Sequence, residues 1–138
     1  MNDPRPTIDP LVWSCAGGDP LTAIYGYVPS LHDARLVGVE LAGRDATLRF
    51  EYLDQAEGAA SPLRTRFEFA FSGVARFRMP LDETYVLDAS LVAVGKGLRL
   101  DLTMPGGWAL LEAGQMEIRL LAVDLQGEPT PPTLDWKP

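Results

Sequence analysis

Four stretches of this chain alternate apolar and polar residues with a period of two, and that alternation constrains the fold more than any other feature. Leu48, Phe50 and Tyr52 interleave with Thr47, Arg49 and Glu51, and Phe67, Phe69 and Phe71 with Arg66, Glu68 and Ala70. Ala75, Phe77 and Met79 flank Arg76 and Arg78, while Leu98, Leu100, Leu102 and Met104 flank Arg99, Asp101 and Thr103. Side chains of a strand point alternately to its two faces, so each stretch reads as a strand with one face in a core and one in water. Pairing the first two as a hairpin sets Phe50 opposite Phe67, Leu48 opposite Phe69, Glu51 opposite Arg66 and Arg49 opposite Glu68. Apolar residues then meet apolar ones and acids meet bases, and a slip of one residue would turn the aromatic rows outwards. A second turn at Ser72-Gly73-Val74 would bring Phe69 opposite Phe77 and Glu68 opposite Arg78, completing a meander.

Beyond the meander, Tyr85 to Val94 reads as a mostly apolar strand, and Gly95-Lys96-Gly97 turns into the strand Leu98 to Met104. Pro105-Gly106-Gly107 is a strong turn, followed by strands at Trp108 to Leu111 and Gln115 to Leu125. Leu36 to Leu41 adds another. Seven or so strands at short spacing predict a mainly β protein, an antiparallel sandwich or strongly curled sheet. A two-layer α+β arrangement is the alternative, if the apolar strands cover a helix. One short N-terminal helix is expected over Pro20 to Tyr27, with Asp19 as N-cap and Pro20 at its first position. The 138 residues suit one domain with proline-rich ends, 1–18 and 128–138, that are extended or partly disordered. Within the first of these, Leu11-Val12-Trp13 is the part expected to be pinned to the body.

Charge and composition narrow the function. The net charge of −7, with twelve basic residues spread singly, disfavours nucleic acid and anionic membranes, both of which need a basic face. It favours solubility and would steer encounters with a basic protein. No apolar run approaches the length that spans a bilayer, and the start Met1-Asn2-Asp3-Pro4 lacks the pattern of a secretory signal. A lone Cys15 excludes an internal disulfide, so a cytoplasmic location is expected. Nucleotide-binding glycine loops, the nucleophile elbow, Cys-x-x-Cys and His-Glu-x-x-His are all absent. With one His and one Cys, no structural zinc site and no other cofactor is expected. Trp13, Trp108 and Trp136 each fit either core packing or an aromatic anchor at an interface.

The segment Tyr25-Gly26-Tyr27-Val28-Pro29-Ser30-Leu31-His32-Asp33-Ala34 departs from the plain strand pattern, and its Tyr25, Pro29, Ser30, His32 and Asp33 form the candidate site. If the chain is extended there, Ser30 and His32 lie on one side and Asp33 on the other. An enzymatic reading makes His32 a general base with Ser30 or Asp33 as its partner. The structural reading is more economical. Ser30 closes one turn after Pro29, Asp33 accepts backbone N–H groups and His32 bonds a carbonyl, together fixing the entry into the following strand.

Gly26 to Glu40, Gly-Tyr-Val-Pro-Ser-Leu-His-Asp-Ala-Arg-Leu-Val-Gly-Val-Glu, resembles the signature of the immunity protein 50 family of bacterial polymorphic toxin systems. The family carries Gly-x-x-Pro-Ser-aromatic-His-Asp-Ala before a strand ending in an acidic residue. Pro29, Ser30, His32, Asp33 and Ala34 match, and Leu31 stands in the aromatic position. Phe71-Ser72-Gly73-Val74 matches the family's Phe-x-Gly-Val region, and the likeness fades beyond Met79. The resemblance implies a small cytosolic protein that binds and neutralises a cognate toxin without catalysis or cofactor, by covering the toxin's active site. A nuclease toxin would offer a basic cleft to the acidic chain. The rival readings are a small enzyme using His32 and a self-associating module, such as a homodimer joined through exposed edge strands.

Overall fold

A computed structural model describes residues 8–58, 62–80 and 85–125. Two short helices, α1 (Pro10–Cys15) and α2 (Asp19–Tyr25), precede six strands: β1 (Arg35–Ala42), β2 (Asp45–Gln55), β3 (Pro62–Arg78), β4 (Asp88–Val94), β5 (Gly97–Met104) and β6 (Gly107–Leu125). The strands form one antiparallel sheet of order β1-β2-β3-β6-β5-β4, whose two outer strands do not pair, so it curls without closing. With two helices of six and seven residues against that sheet, the fold is mainly β.

The β2–β3 hairpin has the register that its side chains dictate: Phe50↔Phe67, Leu48↔Phe69, Glu51↔Arg66 and Arg49↔Glu68. The inward rows build a continuous aromatic core. Phe50 stacks on Phe67 at 5.5 Å, Phe69 meets Phe50 at 5.0 Å, and the Trp13 indole meets Phe69 edge-on at 6.1 Å. Burying each such ring contributes roughly 1.5–3 kcal/mol, so this row anchors the sheet.

The expected turn at Ser72-Gly73-Val74 does not form. β3 runs straight through it as a 17-residue strand, and the second partner of Phe69 is Ile118 on β6, not Phe77. Glu68 correspondingly lies beside Arg119 instead of Arg78. The reason is complementarity: β6 offers Met116, Ile118 and Leu120 opposite Phe71, Phe69 and Phe67. Gly73, with φ of 67°, lies beside a bulge between Val74 and Arg76, so it bends the strand without reversing it. Likewise Trp108 to Leu111 and Gln115 to Leu125 are one strand, passing through Gly114 where it faces Gly73. Among the described residues, six strands replace the seven or so expected.

Two further corrections concern the first sheet edge and the N-terminal region. The strand expected from Tyr85 begins at Asp88, because Tyr85 and Val86 pair with the Asp33 to Arg35 stretch instead, and only from Leu87, whose N–H donates to Thr103 O, does the chain turn towards β5. In the N-terminal stretch expected to be extended, Asp9 caps α1 by accepting the Leu11 N–H at 2.9 Å, with Pro10 at the first helical position where its missing N–H costs nothing. α2 starts one residue before the expected Pro20, and its cap is Gly18, not Asp19; it ends at Gly26, whose left-handed φ of 86° suits glycine. Trp13 is buried as expected, while Leu11 stays exposed. Residues 128–138, including Trp136, lie outside the described residues.

Candidate functional site

The Tyr25 to Ala34 segment lies where the two open ends of the curled sheet approach each other. Its main chain kinks twice, with φ of 65° at Leu31 and 68° at Asp33. An Asp tolerates that region; Leu31 is held there by complete burial, which also explains an apolar residue at this position. The kinks remove the extended geometry that would have set Ser30 and His32 on one side. They deliver the segment to Tyr85–Leu87 across the gap. Asp33 N–H donates to Val86 O at 2.7 Å, Val86 N–H to Ala34 O at 2.8 Å, and Arg35 bridges Tyr85. These contacts stitch β1 to the lead-in of β4 at one end of the sheet.

The side chains serve the same seam. Ser30 Oγ accepts the His32 N–H at 3.2 Å, closing the turn after Pro29. His32 Nδ1 meets Leu87 O at 2.6 Å, and its Nε2 lies 3.6 Å from the Asp33 carboxylate. The Leu87 carbonyl, then the Asp33 charge, raise the His32 pKa above its ordinary value; Asp88 and Asp54 act in the same direction. The Asp33 carboxylate is exposed and faces His32, so its backbone N–H, not its carboxylate, makes the seam bond. Ser30, His32 and Asp33 come together, but the Ser30 hydroxyl engages the His32 amide and the His32 ring is held by a carbonyl.

Tyr25 and Pro29 sit beneath the seam, buried. The Tyr25 hydroxyl reaches Thr65 Oγ1 at 2.9 Å and donates to Leu63 O at 3.1 Å or Tyr52 O at 3.3 Å, tying α2 to β2 and β3. Tyr52 donates to Asp54 Oδ2 at 2.6 Å, and Tyr27 donates to Gln55 O. Partial desolvation, then Asp54, push the Tyr27 pKa up to about 12.

Around the seam the surface is acidic and edged with apolar rings. Asp33, Asp54 and Asp88 act together on His32, and Glu57 stands against Gly26. Tyr27, Leu53, Tyr85 and Leu87 are exposed among them. Two shallow depressions flank the stitch. One, of about 310 Å³, is lined by Val28, Pro29, Ser30, His32 and Asp88; the other, of about 400 Å³, by Asp33, Arg35, Leu53, Arg64 and Tyr85. Both open widely to solvent, a shape that suits a partner's surface better than an enclosed small molecule. The sequence reading missed Asp54, Tyr85 and Asp88, because nothing local marks residues brought together across fifty positions of chain.

Among the described residues, no group of three or more His, Cys, Asp or Glu is placed to hold a metal ion, and no helix is long and apolar enough to cross a membrane. Trp108 takes the surface option: its ring is part-exposed under the Arg78 guanidinium at 4.7 Å, and its Nε1 donates to Asp101 at 3.2 Å. Fold and site together define a curled, open β-sheet protein with a stitched seam under an acidic, aromatic-edged surface. The chain matches no family model, no curated protein and no solved structure.

Proposed function

We propose that this protein is a non-catalytic binding protein that neutralises a cognate bacterial toxin, the role implied by the likeness of Gly26 to Glu40 to immunity protein 50. The observation that carries the reading is the use made of the motif. Ser30, His32 and the Asp33 main chain are engaged in the turn after Pro29 and in the contacts to Val86 and Leu87, and no hydrogen bond joins the Ser30 hydroxyl to the His32 ring. Leu31, which stands where the family carries an aromatic residue, is fully buried and so fills that position as an apolar anchor. The surface over the seam, rich in Asp with exposed Tyr and Leu, suits a basic protein face such as a nuclease cleft.

Tagged protein incubated with lysate of the source bacterium should retain a large multidomain protein through its C-terminal fragment, with affinity falling as salt rises. Replacing Asp33, Asp54 and Asp88 together by Asn should weaken that retention at least tenfold, while His32→Ala should leave it intact in protein that remains folded. Retention unaffected by salt and by the triple substitution would remove the acidic-surface reading. Turnover of a substrate that is lost in His32→Ala would replace the binding role with an enzymatic one.

A further inference from the structure

The stretch 29–34 is held against its own backbone preference. Leu31 and Asp33 flank His32 with φ of 65° and 68°, a left-handed region that residues with a Cβ keep only when their surroundings hold them there. An Asp enters it readily and a Leu seldom does. Asp33 N–H donates to Val86 O, Val86 N–H donates to Ala34 O, and Leu31, Ala34 and Val86 are buried together with these bonds. The far side of the seam is the fixed one, since Leu87 N–H is anchored to Thr103 O of β5 at 2.7 Å.

His32 adds a contact across this seam that a change of charge can reverse. Both of its ring nitrogens face oxygens: Nδ1 lies 2.6 Å from Leu87 O, and Nε2 lies 3.6 Å from Asp33 Oδ2. An imidazolium has an N–H for each, whereas a neutral ring has one to share. With that proton on Nδ1, the Nε2 lone pair faces a carboxylate. With it on Nε2, the Nδ1 lone pair is pressed against a carbonyl oxygen. The charged groups that act on the ring among the described residues are all acids: Asp33 beside it, Asp88 at the start of β4 and Asp54 on β2. Each favours the imidazolium.

We propose that His32 is an acid-set latch: its imidazolium clamps the strained stretch 29–34 onto Val86 and Leu87, and neutralisation lets that stretch leave them while the sheet stays folded. The left-handed backbone of Leu31 and Asp33 favours release, and the two contacts of the ring favour closure. The Leu87 carbonyl, then Asp33, raise the pKa of the ring in the closed state. The clamp is therefore fully present below the ordinary value of 6.5 and is lost as pH rises through the closed-state value. Opening uncovers Leu31, Ala34 and Val86, so pH sets how much apolar surface lies beside Asp33, Asp54 and Asp88. The latch belongs to the fold and stands whether or not that surface binds a toxin.

Amide hydrogen exchange tests it, measured at about pH 5.5 and about pH 8.5 and divided by the intrinsic rate of an unfolded chain at each pH. In wild-type protein the Asp33 and Val86 amides should be less protected than those of the β2–β3 hairpin at both pH values. Their opening should become about threefold or more easier at the higher pH. His32→Gln retains a donor for Leu87 O and cannot gain a charge, so the two amides should open equally at both pH values. Asp33→Asn keeps a residue that tolerates the left-handed region, removes the charge facing Nε2 and should shrink the pH response. Seam amides as well protected as those of the hairpin would overturn the latch, because the stretch would then leave only when the whole protein unfolds. So would wild-type protection that does not change with pH, or a pH response that persists in His32→Gln.

Discussion

Single side chains do unusually non-local work here, and the indole of Trp13 and the phenol of Tyr25 show how. Trp13 Nε1 donates to Gly18 O at 3.0 Å and reaches Thr22 Oγ1 at the same distance, so one buried ring sets the corner between α1 and α2. Gly18 permits this because a Cβ there would fall 2.2 Å from the indole nitrogen. Tyr25 does the equivalent between α2 and the sheet, its hydroxyl serving polar groups of β2 and β3 that are shut away from water. Burial also raises its pKa, since the phenolate would be stranded in the same surroundings. Tyr25→Phe keeps the ring and leaves those partners short of a bond, so it should cost about 1–2 kcal/mol in urea unfolding. An unchanged midpoint would mean that Thr65 alone satisfies the carbonyls.

Long strands set the character of the elements. β3 and β6 pair along almost their whole length, and on the outward face Glu68 collects Arg119 at 3.0 Å and Arg49 at 3.4 Å from the strands on either side. Glu51 similarly joins Arg66 at 2.8 Å and Arg35 at 3.8 Å. Most partners are partly exposed, so each pair is worth at most about 1 kcal/mol, and their main effect is to penalise wrong registers. The tightest constraint is steric. A Cβ on Gly97 would lie 2.3 Å from the Ala113 carbonyl oxygen, where β5 begins to pair with β6. Gly97→Ala should therefore destabilise by about 1–3 kcal/mol, through a backbone shift that neither strand absorbs. Gly95→Ala, with open space around it, should cost only about 1 kcal/mol for its left-handed φ of 58°. Equal thermal midpoints for the two variants would contradict this.

The same elements show what local patterning can and cannot convey. The β2–β3 register was legible because its two apolar rows and its charges match at short range. The β3–β6 pairing was not: its partners are between 32 (Arg78↔Leu110) and 62 (Leu63↔Leu125) residues apart, and Gly73 and Gly114 look identical in sequence whether they reverse a strand or merely bend it. The seam motif stood out by composition, while its receivers, Tyr85 to Leu87, read as an ordinary strand start. The helix α1 was hidden for a related reason, since Pro10 signals an irregular chain unless Asp9 is recognised as the cap before it.

At the scale of the whole molecule, the seam couples the state of one imidazole to the contact between the lead-in of β1 and the lead-in of β4. His32 is the chain's single histidine, and its pKa lies above 6.5 in the fold, held there by the Leu87 carbonyl and then by Asp33. A raised folded-state pKa means that the folded protein holds the proton more tightly than the unfolded chain does. The stabilisation is thus fully present below about pH 6.5 and is lost as pH rises through the folded-state value. Urea midpoints of wild type and His32→Gln, compared at pH 5.5 and pH 8.5, should differ more at the lower pH. A gap that is constant or wider at pH 8.5 would assign the wrong sign to this site.

The length of the β3–β6 pairing also dictates the order in which the chain can mature. β2 and β3 can form their hairpin as soon as both are made, but the other edge of β3 has to wait until the chain has been synthesised past Gly107 and then through to Leu125. Until then the row Phe67, Phe69 and Phe71 has one bare main-chain edge beside it on the ribosome. Such long-range closures are slow, so the interval when this protein is most exposed to wrong strand partners falls during its own translation, before β6 has emerged.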